Sequence, residues 1–426
     1  MSNPKGSRVG ESCMLPHEVT SSLNTGRVWL PFTQMTTFEA EERTFVRASG
    51  TTLFDSRGRA SFDAVSSIWT CVHGHCHPTI CEAISRQASR LDHATALGAT
   101  NPVAEELAEL LCEATGLARV FFAADGASAV EAALKMARQY WVNRGQPQRN
   151  RFVHLRSSYH GDTVGSMSVS DIEVFRRNFD PLCFETVSYE DFRRDPDRTD
   201  VAAVIVEPRV QAAAGMRIVP ASDYAALLDI TPLLIVDEIA TGFGRTGSMF
   251  AFTELGLVPD LLCLGKGITG GTLALSATLA SDRVFEAFLS GSAADLKHFF
   301  HGHSYAANPI ACAAAIASFE LFATENTMES VRTLARHLAL LAGQLASNSR
   351  VADIRHLGLM CGIELRPEMS SKLPAPTSRA WNVANALYER GHFTRPIGDV
   401  IQFVPPLSSE TADLDGFFAA LADVLR

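Results

Sequence analysis

Five short apolar runs recur through the middle of the chain: RVFFAA, RFVHL, VAAVIVEP, PLLIVDE and LLCLGKG. Connections of helical length separate most of them. The first, DGASAVEAALKMARQYWVNRG, is a turn followed by a helical pattern with Asp125 or Ser128 near its start. Uninterrupted apolar runs of this length fit strands buried on both faces. Strands alternating with helices predict an α/β fold, a mostly parallel sheet covered by helices on both sides. Ligands of such folds gather beyond the carboxyl ends of the strands. Asp125, Glu207, Asp237 and Lys266 all stand at or just past those ends.

The chain is 426 residues long, 46% apolar and 20% charged, which excludes wholesale disorder and leaves room for a large domain with a satellite. The expected division is a polar tail over 1–26, an N-terminal segment over 27–75 that joins the small domain, a large domain over 76–324 and a small α+β domain over 325–426. GTTLFDSRGRASFDA reads as a hairpin turning at Arg57-Gly58, outside the main sheet. A formal charge of −10 argues against nucleic acid or an anionic membrane as the partner. No apolar stretch is long enough to span a bilayer, and the first 26 residues lack a secretory apolar core. The nine cysteines are scattered without a CxxC pair, so free thiols and a cytoplasmic location are expected.

An aspartate behind four apolar residues, as in LLIVDE, is costly to bury without a positive partner. Asp237 is either a loop cap or the partner of a protonated ring nitrogen, as a pyridinium cofactor requires. Lys266 follows about thirty residues later, one strand and its crossover away, so adjacent parallel strands let both side chains reach one small molecule. Burial favours the neutral, nucleophilic form of its amine, which an aldehyde cofactor needs. ADGASAV sets small residues at a strand-to-helix turn, where the amides of Gly126 and Ala127 can hold a phosphate. Tyr159, in YHGDT, can lie over a flat ring or be a core tyrosine. Neither GxGxxG nor a Walker lysine is present, which disfavours a dinucleotide or nucleotide site. The HGHCH cluster at 73–77 has no HExxH-type companion, and no metal is expected.

LLIVDEIATGFGRTG, PDLLCLGKGITGG, SSYHGDTVGSMSVS, EPRVQAAAGM and HGHSYAANPIACAAA occur in one order that resembles the class III pyridoxal-phosphate aminotransferases, of fold type I. The likeness runs from about residue 28 to the C-terminus. It implies a pyridoxal 5'-phosphate enzyme with Lys266 as the Schiff-base lysine, Asp237 on the pyridine nitrogen and Tyr159 stacked on the ring. It further implies Glu207 as the active-site glutamate, Gly126 and Ala127 at the phosphate, and Ser304 reaching the phosphate of a neighbouring subunit in a homodimer. Trp69 and Arg395 match substrate positions, Arg395 suiting a carboxylate because its guanidinium is planar. Within the class, WLPFTQM, SSIWTCVHGHCHP, ALKMARQYW and TRPIGDVIQFVPPL resemble the members that aminate 8-amino-7-oxononanoate in biotin biosynthesis, with S-adenosylmethionine or L-lysine as donor. The sequence departs from the class in three places. Asp125 stands in the phosphate turn, Ile68-Trp69 where a Trp pair is frequent, and Phe32 where a tyrosine is frequent, which bears on the donor. The alternative is another class III ω-aminotransferase acting on a diamine, an ω-amino acid or a secondary-metabolite ketone. A non-catalytic relative is disfavoured because Lys266, Asp237 and Tyr159 are all in place.

Overall fold

The structure, a computed structural model, describes residues 27–35, 43–196, 198–228, 230–367 and 379–426. The tail 1–26 and the polar segment around residues 369–378 lie outside them. Seven strands build the main sheet: β1 (Arg119–Ala123), β2 (Arg151–His154), β3 (Val187–Ser188), β4 (Val201–Val206), β5 (Leu233–Asp237), β6 (Leu261–Leu264) and β7 (Ser276–Ala280). Their order across the sheet is β1-β7-β6-β5-β4-β2-β3. Only β7 runs antiparallel to its neighbours.

Strands β4, β5 and β6 are buried along their whole length, as their apolar runs require. Alternate residues feed two separate cores. Val204, Val206, Leu234, Val236, Leu262 and Leu264 face one, while Ala203, Ile205, Leu233, Ile235, Leu261 and Cys263 face the other. Helix α1 (Gly126–Asn143) covers the second core with Ala129, Val130, Ala133 and Ala137. On the opposite face, α2 (Pro309–Thr324) contributes Ala311, Cys312 and Ala315.

The expected strands are present, and β3 and β7 are added to them. SATLA in β7 is masked in the sequence by its small and hydroxylated residues. Ser276 and Thr278 donate to the carbonyls of Asp125 and Ala129 in α1, so these polar groups are satisfied inside the fold. The β5–β6 crossover also departs from a long helix. It has one helical turn, Ala251–Glu254, because Gly242, Gly244 and Gly247 interrupt the preceding stretch.

The hairpin at 52–63 forms, with Gly58 at φ +80° in its turn. It joins Phe45–Ser49 and the C-terminal strand His392–Phe393 in a four-stranded sheet. A second sheet pairs Val351–Leu357, Met360–Leu365 and Val400–Phe403. The two ends of the chain are further stitched where Val404 N donates to Ala64 O and Leu407 N to Val72 O.

Candidate active site

Beyond the carboxyl ends of the strands lies a cavity of about 500 Å³, lined among others by Gly126, Tyr159, Glu207, Asp237 and Lys266, with Trp69 at its edge. The register explains the convergence. Asp237 ends β5 and pairs with Cys263 of the parallel strand β6, and Lys266 follows three residues on. Asp237 is buried at 4% exposure; its Oδ1 accepts from Ile239 N at 3.0 Å, and its Oδ2 lies 2.7 Å from His160 Nδ1. His160 comes straight after Tyr159, six residues past the end of β2. Its Nε2 is buried without a hydrogen-bond partner among the described residues. The sequence showed the imidazole in YHGDT but gave no sign of its partner, which lies across the sheet.

Glu207 follows β4 and accepts from Tyr159 N at 3.0 Å. Burial, and then the neighbouring Asp237, push its carboxyl well above the usual range. Lys266 shifts the other way. Burial lowers its ammonium pKa more than Asp237 and Glu207 raise it, so more of the amine is neutral than in a free lysine. Tyr159 donates its hydroxyl to Asp162 at 2.7 Å, and burial raises its pKa.

Helix α1 begins at Gly126 with Asp125 as its cap. The Asp125 carboxylate accepts from Ser128 N at 2.9 Å and from Ser128 Oγ at 3.0 Å. The acidic residue in the phosphate turn is therefore spent on the cap, an interaction of about 1 kcal/mol. The first-turn amides of Gly126 and Ala127 remain at the cavity wall. A Cβ on Gly126 would meet Ile239 Cγ2 at 2.9 Å, and one on Gly265 would meet it at 3.3 Å. The glycine before Lys266 thus makes room for Ile239, which wedges between the two turns.

The rim joins the other expected residues. Trp69 Nε1 donates to Gln402 Oε1 at 2.8 Å, and Gln402 Nε2 donates to the Arg395 carbonyl at 2.5 Å. Arg395 Nη2 donates to the Phe32 carbonyl at 3.0 Å, and burial lowers its pKa. The Phe32 ring meets Phe175 edge-on at 5.2 Å, and Phe175 meets Tyr159 at 5.9 Å. Sequence reasoning missed Gln402 and Phe175, which tie Phe32, Trp69 and Arg395 to one another and to Tyr159. Neither Phe32 nor Arg395 itself lines the cavity, and Ser304 is exposed and outside it. Lys266 Nζ stands 5.2 Å from the centre of the Trp69 ring.

Residues 66–69 are conformationally unusual. Ser66, Ser67, Ile68 and Trp69 have φ of +48°, +47°, +66° and +68°. Left-handed backbone costs a residue with a Cβ roughly 1–2 kcal/mol each. Lys266, at +46°, shares this strain. Such conformations persist where surrounding bonds over-determine them, and they cluster at functional sites.

The donor set fits the cofactor that the resemblance implies. A half-buried amine of lowered pKa, a buried carboxylate braced by an imidazole, a flanking aromatic and a helix start open to an anion share one cavity of suitable size. The HGHCH imidazoles go to separate partners instead: His73 to Ser318 O, His75 to Asp63 and His77 to Glu325.

Comparison with known proteins accords with this geometry. The aminotransferase class-III family matches residues 37–425. An adenosylmethionine-8-amino-7-oxononanoate aminotransferase of Aquifex aeolicus is 41% identical, over 91% of this chain and 92% of its own. The crystal structure of the enzyme of that name from Methanocaldococcus jannaschii superposes with a TM-score of 0.86 at 37% identity, covering 93% of this chain and 97% of that one. A PLP-bound amine transaminase from an uncultivated Pseudomonas species gives 0.87 at 29% identity, covering 94% and 98%.

Proposed function

The chain belongs to the class-III aminotransferases, which depend on pyridoxal phosphate, and from that premise we propose that it aminates 8-amino-7-oxononanoate to 7,8-diaminononanoate in biotin biosynthesis. The amino donor is S-adenosylmethionine or L-lysine. The observation that carries the chemistry is the meeting of the Lys266 amine with the Asp237–His160 pair in one cavity. The choice of acceptor is supported by relatives of that name that match nearly end to end.

Pyridoxal phosphate, when bound, would supply an electron sink for the donor carbon as it loses its proton. Lys266 Nζ takes that proton and returns one, its lowered pKa suiting it as a base. Asp237, held by His160 Nδ1 and Ile239 N, presents a carboxylate to the ring-nitrogen proton. Tyr159 would cover the ring and the Gly126 and Ala127 amides would hold the phosphate, while Glu207 keeps Tyr159 in place through its backbone N–H. Arg395 releases the Phe32 carbonyl to take the acceptor's carboxylate. Phe32 and Trp69 shape the entrance. Ser304, exposed on this chain, serves the phosphate of a second subunit, so the working form is a homodimer.

The test is to incubate the purified holoenzyme with 8-amino-7-oxononanoate and either S-adenosylmethionine or L-lysine, following product by mass. Diamine formed with one donor identifies it. No product from either, with turnover of simple ω-amines, replaces the acceptor and makes the protein an ω-aminotransferase of another kind.

A further inference from the structure

The left-handed turn raises a question that its own residues do not answer, because no glycine relieves it. The bonds that hold it come from outside the cavity. Asp63 Oδ1 accepts from Ser67 N at 3.1 Å and Val65 N at 3.4 Å, and its Oδ2 accepts from Ser67 Oγ at 2.9 Å. That Oδ2 also lies 2.8 Å from His75 Nε2. Asp63 is fully buried, with four bonds to serve and one partner that can carry charge. The backbone of His75 is fixed as well, exchanging both hydrogen bonds with Gly50. On the far side, buried Arg245 donates to the carbonyls of Trp69 and Cys71 at 3.2 and 3.0 Å, and Ser66 Oγ donates to Val404 O at 2.7 Å.

We propose that Asp63 and His75 are positioning residues for transamination, an ion pair that clamps residues 66–69 in their left-handed turn and so holds Trp69 at the cavity edge beside Lys266. Neither member of the pair lines the cavity. It acts through the turn, and the Trp69–Gln402–Arg395 relay carries the same constraint to the proposed carboxylate site. Burial alone would make His75 harder to protonate, but Asp63 and the neighbouring Cys71 outweigh it and raise its pKa to about 10. A protonated His75 makes the clamp a charge-assisted hydrogen bond, the stronger kind.

The inference rests on Trp69 bordering the substrate as proposed above, and strain relief tests it. His75→Leu removes the clamp's donor; the KM of the holoenzyme for its keto acceptor rises about tenfold or more while kcat changes much less. His75→Gln, whose amide can still donate to Asp63, falls between that variant and wild type. The deciding pair is His75→Leu combined with Ile68→Gly or with Ile68→Ala. Glycine takes φ near +66° without cost, so it relieves one of the four strained positions and returns KM and melting temperature part of the way toward wild type. Alanine deletes the same side chain but keeps the Cβ, and restores neither. The long-wavelength absorbance of the bound cofactor stays at its wild-type position in every folded variant. If His75→Leu does not fold, recovery of soluble holoenzyme by Ile68→Gly and not by Ile68→Ala is the equivalent supporting result. Equal behaviour of the glycine and alanine pairs, or an unchanged KM in His75→Leu, overturns the proposal. Should wild type refuse 8-amino-7-oxononanoate, the substrate assignment falls on its own; the same series, run on the ketone the enzyme accepts, still decides the clamp.

Discussion

The floor and the rim of the cavity are built in opposite ways. On the floor, Asp237 and Lys266 stand at the ends of adjacent, fully buried parallel strands, and their spacing follows from the strand register. On the rim, Phe32 and Trp69 come from one end of the chain and Arg395 from the other, more than 300 residues away, and they meet through Gln402 and a backbone carbonyl. The sheet makes the floor regular, whereas the rim includes four consecutive left-handed residues that side-chain bonds must hold. The residues proposed for chemistry thus rest on the ladder, and those proposed for substrate choice rest on long-range side-chain contacts. The floor should therefore answer mutation through kcat and the cofactor, and the rim through KM.

The largest expected effect is at Lys266. Lys266→Ala should abolish the long-wavelength absorbance acquired with pyridoxal phosphate and reduce turnover by several orders of magnitude; an unchanged band would remove the lysine from the floor. Next, Asp237→Asn should cost about 10²–10³-fold in kcat, the scale for losing one preorganised charge in a closed site. Acceptor KM should move little, which steady-state kinetics can verify. On the rim the signature should invert. Arg395→Met should raise KM for a carboxylated acceptor about 10–100-fold, as expected for one lost charge-assisted hydrogen bond, and leave an uncharged ketone nearly unaffected. Equal losses on both acceptors would erase the proposed division.

A last effect, on stability and not on turnover, concerns the seam between the two regions. His73 follows the rim turn and lies 2.8 Å from the Ser318 carbonyl in α2. Burial lowers its pKa from 6.5 to about 4, against a smaller opposing effect of that hydrogen bond. The unfolded chain then takes up the proton first, so this stabilisation is complete above about pH 6.5 and is lost as the pH falls to about 4. The contribution is of order 3 kcal/mol. Thermal melts of His73→Gln should show a shallower loss of stability over that interval than wild type.

Much of the floor was legible in the sequence because strands and helix starts are local. The apolar runs located β1, β2, β4, β5 and β6, and a helix start near Asp125 or Ser128 followed from residue type. Strand β7 escaped because Ser276 and Thr278 find their partners in α1, 150 residues away in the chain. The contact of His160 with Asp237, the joining of Arg395 to Phe32 and the clamp on Trp69 were equally hidden. Each is a hydrogen bond between segments whose proximity no local pattern encodes.

By itself, then, the sequence determined the alternation of strands and helices, the strand-end placement of Asp237, Glu207 and Lys266, and the family resemblance that its ordered motifs carry. Burial periodicity and turn chemistry act within a few residues, so they can be read along the chain. The tertiary structure alone decided that His160 braces Asp237, that Ile239 fills the space left by Gly126 and Gly265, and that Trp69 is held in a left-handed turn. Those outcomes depend on which distant groups are near enough to bond or to collide, and only the packed fold sets those distances.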